Sequence, residues 1–555
     1  MEFIVYGKLL KFSEERIVKR TITCILISLI LIGGVFASGT QAAGTTGSAT
    51  TTPVGQYPIQ TTATLSVWVN LNANVSPNYT NLGDTPFGQA LQRNTGVKVT
   101  FLHPPTGSNA AREQLNLMIA DGTNMPDILE WNWVDQSQFA GGPARGILDG
   151  VLLKLNDVFD KWAPNVKGVL RANPDWDRMV KTDEGDYYAF PFIRGHEKLL
   201  YSQGLMMRKD WLDELGMAPP DTMDELYAAL KGYKDKMNCP APFTIVWTNT
   251  QRMLLTPFGI LKNWYISVDT GKVQLGLMQS QYRTWLQTMA QWYKDGLIDP
   301  DVASIQTAQQ NTKMTNGTAG STIASVGSGI GTWTPAARAT NPKYEIIALA
   351  DPVLRKGDKR VYSIPNQVYS GQDSSAISPT SKNIEIAARF LDYGYTQAGH
   401  MLFNFGIEGE SYTMINGKAI YTPNIMNDPR GWPLAQSMAA YARSTGAGPF
   451  VQNEGYIEQY YALPEQTAAL TNYRVPGSEK QILPSITPTQ AESTEIARIM
   501  GDVNTFAEEF MTKIILGTEV LNDTTWNNYI SSLQRMNVQR AVDIQNAALD
   551  RYNKR

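Results

Sequence analysis

The stretch from Leu65 to Trp131 constrains the fold most, because patterns typical of strands alternate there with patterns typical of helices. The predicted elements are a strand at 65–69, a helix at 84–96, a strand at 97–102, a helix at 109–120 and a strand at 127–131. A strand–helix–strand–helix–strand order predicts a parallel sheet covered by helices, which is the plan of an α/β protein.

Polar and aromatic side chains follow these predicted strands. Asn70 and Asn72 come directly after the first strand, while Trp131 and Trp133 mark the end of the third. Ligands of α/β proteins bind at the carboxyl ends of parallel strands, so these residues are placed to reach one. Asparagine also favours simple turns, and that alternative stays open for Asn70 and Asn72.

A chain of 555 residues is too long for one hydrophobic core, so two domains are expected and three are possible. The stretch from Asp186 to Gly216 has the features of a boundary between two lobes. An aromatic turn around Pro191 precedes an extended run at 198–207, and a short helix then ends at Gly216. Such boundaries form ligand clefts and hinges.

The amino terminus predicts an export signal at residues 1–42. Lys19 and Arg20 precede the apolar run from Ile22 to Phe36, and small residues follow. The run is short for a membrane span, although an uncleaved anchor is an alternative. Cys24 opens this run, which is a poor position for a lipid-modified cysteine. Residues 43–63 are predicted to form a flexible spacer.

Helix and strand patterns continue beyond the boundary. Thr222 and Glu225 have the spacing of a capping box. Strands are predicted near Phe243 and Tyr344, and a hairpin turn at 268–273. The segment from Thr312 to Thr334 is small and polar, and it receives no predicted element.

Composition excludes several function classes. A net charge of −3 gives no reason to expect a nucleic-acid partner. Three histidines and two cysteines are too widely spaced for a metal site or a cysteine–histidine nucleophile pair. The glycine-rich stretch from Phe139 to Arg145 lacks the lysine and spacing of a phosphate-binding loop.

Several long segments together resemble the extracellular solute-binding proteins of family 1, which serve carbohydrate ABC importers. The resemblance is narrower still to their LipO-like oligosaccharide-binding branch. The matching segments are FAGGPARGILDGVLLKLND (139–157), YYAFPF (187–192), RKDWLDELG (208–216), DTMDELYAALKGYKDK (221–236), YKDGLIDPD (293–301), FNFGIEGESYT (403–413) and WNNYISSLQRMNVQRAVDIQNAALDRY (526–552).

The resemblance implies a two-lobed periplasmic-binding-protein-like α/β fold with discontinuous lobes joined by hinge crossovers. We expect residues 64–193 and 371–430 in the first lobe, and residues 194–370 and 431–555 in the second. It also implies a monomeric, secreted or cell-surface receptor. Such a receptor binds an oligosaccharide between its lobes and delivers it to the permease at the outer face of the membrane.

Two departures from the family pattern affect the expected anchoring and metal content. Family members usually carry a lipid-anchoring cysteine at the end of the signal, and this sequence does not. Many relatives also have a calcium loop after the helix that matches 221–236. Here Lys236 to Pro240 supplies too few oxygen ligands, so we expect no calcium, and no other metal or cofactor.

Sugar rings have apolar faces and hydroxyl edges, which suit flat aromatic side chains and polar side chains respectively. The aromatic candidates are Trp68, Trp131, Trp133, Trp247, Trp264, Trp333 and Tyr412, with core packing as the alternative for each. The polar candidates are Asn70, Asn72, Arg194, Asn249, Glu408 and Arg443. Arg194 is suited to a uronate carboxylate or to a structural ion pair.

Two other functions remain open at this stage. A secreted glycoside hydrolase would need paired carboxylates, for which Glu408 and Glu410 are the candidates. A peptide-binding receptor of similar architecture is the second alternative.

Overall fold

The computed structural model describes residues 50–106, 108–135, 138–372, 374–446 and 448–555. The predicted signal peptide lies outside these residues. The described residues from 50 onward belong to one compact unit. Residues 50–63 of the predicted spacer pack on this unit instead of extending from it. Ile59 is buried, and the Arg389 side chain donates hydrogen bonds of 2.9 Å to the carbonyl oxygens of Thr52 and Pro53.

The strands are β1 (Thr64–Trp68), β2 (Lys98–Leu102), β3 (Ile128–Trp131), β4 (Ile193–Arg194), β5 (Gln203–Arg208), β6 (Ala241–Thr244), β7 (Trp264–Ile266), β8 (Val273–Leu275), β9 (Ala319–Ser325), β10 (Ile346–Leu349), β11 (Ser374–Ile377), β12 (Tyr412–Ile415), β13 (Lys418–Tyr421) and β14 (Val451–Gln452).

The α-helices are α1 (Pro86–Thr95), α2 (Ser108–Asp121), α3 (Gly142–Leu148), α4 (Asn156–Trp162), α5 (Pro164–Ala172), α6 (Pro174–Met179), α7 (Lys209–Glu214), α8 (Met223–Lys236), α9 (Ser280–Lys294), α10 (Thr307–Asn316), α11 (Ile330–Arg338), α12 (Ile384–Asp392), α13 (Gln397–Phe405), α14 (Pro423–Met426), α15 (Leu434–Tyr441), α16 (Glu454–Tyr460), α17 (Pro464–Asn472), α18 (Gln490–Ile515), α19 (Asp523–Arg535) and α20 (Val538–Tyr552). Short 3-10 helices span Leu82–Asp84, Glu197–Leu199, Trp247–Arg252, Thr256–Phe258, Gly276–Met278, Tyr393–Tyr395 and Ser478–Gln481.

The first lobe contains the parallel sheet that the sequence predicts. Its strand order is β11-β3-β1-β2, and β1 runs parallel to both β2 and β3. Strand β11 arrives from late in the chain and pairs antiparallel with β3, which makes the lobe discontinuous. Leu65, Leu129 and Phe190 are among the fully enclosed residues of its core.

The second lobe is built on a mixed sheet with the strand order β10-β5-β9-β6. Strands β6 and β9 are parallel, whereas β5 runs antiparallel to β9 and β10. Helix α8 beside this sheet begins with the predicted capping box between Thr222 and Glu225. Five buried residues from a segment expected in the first lobe share a core with Trp333 of the second: Phe405, Tyr412, Ala419, Tyr421 and Ile425.

A narrow ribbon of backbone hydrogen bonds links the segments that pass between the lobes. Strand β4 pairs in parallel with β14. The Arg194 N–H donates to the Val368 carbonyl at 3.0 Å, and the Gly195 N–H donates to the Gln452 carbonyl at 3.2 Å. Ile193 belongs to the first core and Leu199 to a core of the second lobe, so the chain changes lobe within this ribbon. The two-lobed α/β fold expected from the sequence is confirmed.

Candidate functional site

The carboxyl edge of the first sheet bounds a cavity of about 680 Å³. Because β1, β2 and β3 are parallel, the residues that follow each strand meet at this edge. The polar and aromatic residues that line the cavity are Asn70, Asn72, His103, Trp131, Asn132, Asp135, Gln138 and Gln372.

Trp131 supplies the aromatic surface of this cavity. Its indole packs against Trp68 with ring centres 5.5 Å apart, and its Nε1–H donates to the Gln138 carbonyl at 3.2 Å. Trp68 is itself fixed by a hydrogen bond of 3.1 Å from its Nε1 to the Gln114 side chain. The Trp131 ring is therefore held rigidly, with only 4% of its surface exposed.

Two asparagines at the cavity are oriented by their own turns. The Asn72 side-chain oxygen accepts the Asn74 N–H at 2.8 Å, and the Asn132 oxygen accepts the Asp135 N–H at 3.1 Å. Because backbone N–H groups occupy the oxygens, the NH₂ groups are the parts that can donate to a ligand. The cavity thus presents fixed amide donors beside an indole, which suits a hydroxyl-rich molecule.

His103 contributes a polar ring that carries no positive charge in this arrangement. Its Nε2 accepts the Leu82 N–H at 3.1 Å, so that nitrogen bears no proton. Its Nδ1 lies 2.8 Å from the Val69 carbonyl and donates to it. These contacts fix the neutral tautomer and join β1 to the loop after β2.

Arg443 lies behind this wall and not in it. Its guanidinium binds the buried Glu130 carboxylate of β3 at 2.5 Å, and its backbone N–H donates to the Phe403 carbonyl at 2.8 Å. The pair joins β3 to the segment after α15. The same segment continues to Gly446, where an added Cβ would lie 3.2 Å from the Asn72 amide nitrogen.

Arg194 is part of the ribbon between the lobes. Its guanidinium donates to the Gln367 carbonyl at 3.0 Å and lies 5.2 Å from the centre of the Phe192 ring. These contacts make Arg194 a support of the hinge, and it is not among the described residues that line the cavity. Its predicted contact with a ligand remains a prediction.

Several predicted aromatic residues are placed inside cores. Trp133 is fully enclosed in the first core, where its Nε1 donates to the Ser374 carbonyl at 2.8 Å. Trp333 donates to the Asn311 side chain at 3.0 Å from inside the second lobe, and Tyr412 packs against Phe405. Burial explains these aromatic side chains as packing residues, as the alternative interpretation of each allowed.

The remaining candidates lie apart from the cavity of the first lobe. Trp247 and Asn249 are half-buried in the 3-10 helix that follows β6, and Trp264 is half-buried in β7. Glu408 is exposed in the turn that pairs with Tyr412. The structure therefore brings together Asn70, Asn72 and Trp131, with Trp68 behind them.

Sequence analysis missed His103, Asn132, Asp135, Gln138 and Gln372, which line the same cavity. A signal was available for two of them, because His103 and Asn132 follow predicted strands directly, as Asn70 does. Gln372 precedes β11, whose membership of the first sheet depends on a pairing across more than two hundred residues.

A second cavity, of about 430 Å³, lies at the corresponding edge of the second sheet. Gln203 at the start of β5 and Asp351 after β10 line it, together with Arg252. Burial raises the pKa of Asp351 above its usual range, and the nearby Thr256 hydroxyl and Arg252 oppose that shift. Burial also lowers the pKa of Arg252.

The family of the chain follows from its match to known sequences. Residues 76–401 match the model of the family described as bacterial extracellular solute-binding protein. The chain belongs to this family. That segment contains β2, β3, β11 and the four strands of the second sheet, together with the lining residues of the cavity other than those at 70–73.

Individual relatives agree with this assignment. The chain is 23% identical over 521 residues to the fructooligosaccharide ABC transporter substrate-binding protein FusA of Streptococcus pneumoniae, covering 89% of this chain and 92% of FusA. It is 23% identical over 351 residues to lipoprotein LipO of Bacillus subtilis, covering 60% of this chain and 65% of LipO.

Solved structures share the fold. The alginate-binding protein AlgQ2 without calcium superposes with a TM-score of 0.72 at 25% identity, covering 88% of this chain and 98% of AlgQ2. FusA of S. pneumoniae in complex with kestose superposes with a TM-score of 0.70 at 20% identity, covering 89% and 100%.

Two further properties of the described residues concern metal binding and membrane insertion. They contain no cluster of three or more histidine, cysteine, aspartate or glutamate side chains arranged to hold a metal ion. No helix in the described part of the chain combines the length and hydrophobicity needed to cross a bilayer.

Proposed function

We propose that this protein is the extracellular substrate-binding component of an ABC importer. It binds an oligosaccharide reversibly between its lobes and delivers it to the permease. The observation that carries this proposal is the cavity at the carboxyl edge of the first sheet, where amide side chains and the largely buried Trp131 ring line the same wall. An indole face and amide donors match the two chemical surfaces of a sugar ring.

Membership of the solute-binding family and the names of the relatives support the same conclusion. FusA is named for fructooligosaccharide, and a further relative of 24% identity over 374 residues is named a polygalacturonan- and rhamnogalacturonan-binding protein. The protein acts as a monomer without catalysis. Residues 1–42 direct export, and the mature chain works at the outer face of the membrane, where it meets the permease.

The hydrolase alternative has less support from the geometry. Glu408 and Glu410 flank Gly409 in an exposed turn, and neither is among the described residues that line the cavities at the edges of the two main sheets. Catalytic carboxylates of glycosidases flank the bond they cleave and lie within a sugar-binding groove.

A thermal-shift screen of the full chain against defined oligosaccharides tests the proposal, followed by calorimetry on every hit. We expect saturable binding, a raised melting temperature and an unchanged ligand after prolonged incubation. Release of reducing sugar would favour the hydrolase. Stabilisation by peptides and not by sugars would favour a peptide receptor.

A substitution at the cavity tests the location of the site. Asn70→Ala removes an exposed amide from the wall, and we expect affinity to fall about five- to tenfold, the usual effect of losing one hydrogen bond. Asn124→Ala is the matched control, because Asn124 is exposed before the amino end of β3. Equal effects of the two substitutions would place the binding site elsewhere.

A further inference from the structure

The loops that form the cavity of the first lobe contain no lysine or arginine. None occurs at 69–92 after β1, at 103–111 after β2, at 132–144 after β3 or at 361–373 before β11. The arginines directly next to these segments are Arg93, Arg112, Arg145 and Arg360, and none of them is among the described residues that line this cavity. This edge of the sheet is therefore depleted of cations.

The side chains that line the cavity have the same character. Among the described lining residues, Asp135 is the one with a formal charge, and that charge is negative. His103 is held as the neutral tautomer by the Leu82 N–H. Arg112, the next cation along the chain, is not among the lining residues.

Arg443, a cation behind the wall, is already paired with a carboxylate. Arg443 binds the Glu130 carboxylate at 2.5 Å, and both side chains are largely buried. Moving Arg443 toward a ligand would leave the buried Glu130 carboxylate without its partner, which is costly.

Three cations among the described residues line the cavity at the edge of the second sheet, namely Arg252, Arg360 and the exposed Lys359, and the two arginines are bound to other groups. Arg252 donates to the Ile364 carbonyl at 2.6 Å, and Lys262 binds Glu508 at 2.8 Å. Arg360 binds Asp221 at 2.5 Å and donates to the Asp351 carbonyl at 2.8 Å. A carboxylate on the ligand would have to displace one of these contacts or reach Lys359, which lines the cavity of the second sheet and not that of the first.

A sugar carboxylate that enters such a cavity loses water without gaining a cation. Proteins usually bind carboxylates through arginine or lysine, because charge-assisted hydrogen bonds offset the cost of removing the charge from water. An amide side chain can donate a hydrogen bond to a sugar hydroxyl or accept one from it, and so needs no charge on the ligand. The wall therefore fits an uncharged polyol and disfavours a uronate.

We propose that the cavity selects neutral oligosaccharides and excludes chains of uronic acids. This inference rests on the proposed function and adds the charge class of its ligand. Solute-binding relatives include one named for alginate and one named for fructooligosaccharide, so family membership alone does not decide between the two classes.

Calorimetry with sugar pairs that differ only at C6 tests the proposal. Suitable pairs are mannotetraose with tetramannuronate, galactotetraose with tetragalacturonate, and cellotetraose with tetraglucuronate, each matched in linkage. For any pair that binds the full chain, we expect the uronate to bind at least about tenfold more weakly. Binding confined to neutral sugars outside these pairs, such as fructans, supports the proposal as well.

A variant that gains affinity for the uronate would separate the effect of ligand charge on binding from the effect of ligand shape. Gln372 is exposed at the cavity, so Gln372→Arg adds a cation without disturbing a core. We expect the affinity for the neutral sugar divided by the affinity for the uronate to fall at least about threefold. In 0.5 M salt most of this fall should disappear, because salt screens exposed charges. Gln372→Met, of similar length and without charge, should leave the ratio unchanged.

The outcomes distinguish this inference from the proposed function. A uronate that binds the wild-type chain as tightly as its neutral counterpart, or more tightly, overturns the charge selectivity and leaves the oligosaccharide function intact. Failure of every oligosaccharide, neutral or acidic, to bind overturns the proposed function and this inference with it.

Discussion

Asp392 is a buried carboxylate at the end of α12 that caps the start of α5. It accepts the Val166 N–H at 2.8 Å and the Asn165 side-chain NH₂ at 2.7 Å. Burial raises its pKa to about 6, and these hydrogen bonds only partly oppose that shift. The unfolded chain has an aspartate pKa near 3.9.

The direction of the pH effect follows from these two pKa values. Between about pH 4 and pH 6 the folded protein holds a proton on Asp392 that the unfolded chain has released. The contribution of Asp392 is therefore fully present below pH 4 and is lost as the pH rises through 6, which costs about 3 kcal/mol in total.

Asp392→Asn should remove this pH dependence. We expect the difference in unfolding free energy between variant and wild type to change by about 1–2 kcal/mol between pH 5 and pH 7, in favour of the variant at pH 7. Urea denaturation at each pH measures it. Asp175→Asn, at a side chain that is 78% exposed, is the control and should show no comparable change. A pH-independent difference for Asp392→Asn would contradict the prediction.

Neighbouring aromatic residues show what sequence could and could not predict at this scale. Trp131 and Trp133 carry the same signal, an indole after a strand, and a strand period of two would place both on one face. Strand β3 ends at Trp131, however, and although both indoles pack in the first core, Trp131 lines the cavity and Trp133 does not. A change of backbone direction after a strand depends on tertiary packing, which the local pattern does not contain.

At the scale of elements, strands rich in branched apolar residues were predictable and β9 was not. The segment Ala319–Ser325 has the sequence AGSTIAS and lies between β5 and β6 in the sheet. Its small residues are required by neighbours: a Cβ at Gly320 would lie 2.3 Å from the Tyr233 ring. Tyr233 of α8 packs over this strand and stabilises it. A scale of intrinsic strand preference does not include such packing and therefore does not predict the strand.

The hinge ribbon also depends on one small residue. A Cβ on Gly195 would lie 2.7 Å from the Val451 side chain and 2.9 Å from the Gln452 carbonyl, inside the pairing of β4 with β14. We expect Gly195→Ala to separate these strands and to destabilise the protein by about 1–3 kcal/mol.

Gly168→Ala is the matched control for this substitution. Gly168 lies within α5, where a Cβ would meet no atom within 4 Å. Alanine in an open helix interior should stabilise the protein by about 0.5–1 kcal/mol. Thermal denaturation of both variants checks the pair, and a neutral effect of Gly195→Ala would show that the ribbon tolerates a wider spacing.

At the scale of the whole molecule, a cluster of charges joins the last helix to the first lobe. Asp183, in the turn before Tyr187, binds the guanidinium groups of Arg551 and Arg555 at 2.6 Å each. Arg551 also binds Glu492 at the start of α18, and Arg555 donates to the Thr487 hydroxyl. Because α20 packs in the second lobe, Asp183 connects the lobes at a point separate from the ribbon.

This connection should contribute strongly to stability, since Asp183 and Arg555 are 8% and 4% exposed. Asp183→Asn keeps the shape of the side chain and leaves the Arg555 charge buried without a counter-charge. We expect a loss of about 3–5 kcal/mol in unfolding free energy, the usual effect of removing one partner of a buried pair. Glu495→Gln, which breaks the more exposed pair with Arg540, should cost less than about 1 kcal/mol.

Equilibrium unfolding followed by both tryptophan fluorescence and circular dichroism decides how the lobes depend on each other. If Asp183 couples them, Asp183→Asn should separate one transition into two, because each lobe has its own core. A single transition in Asp183→Asn, shifted no further than that of Glu495→Gln, would mean that the hinge ribbon alone holds the lobes together.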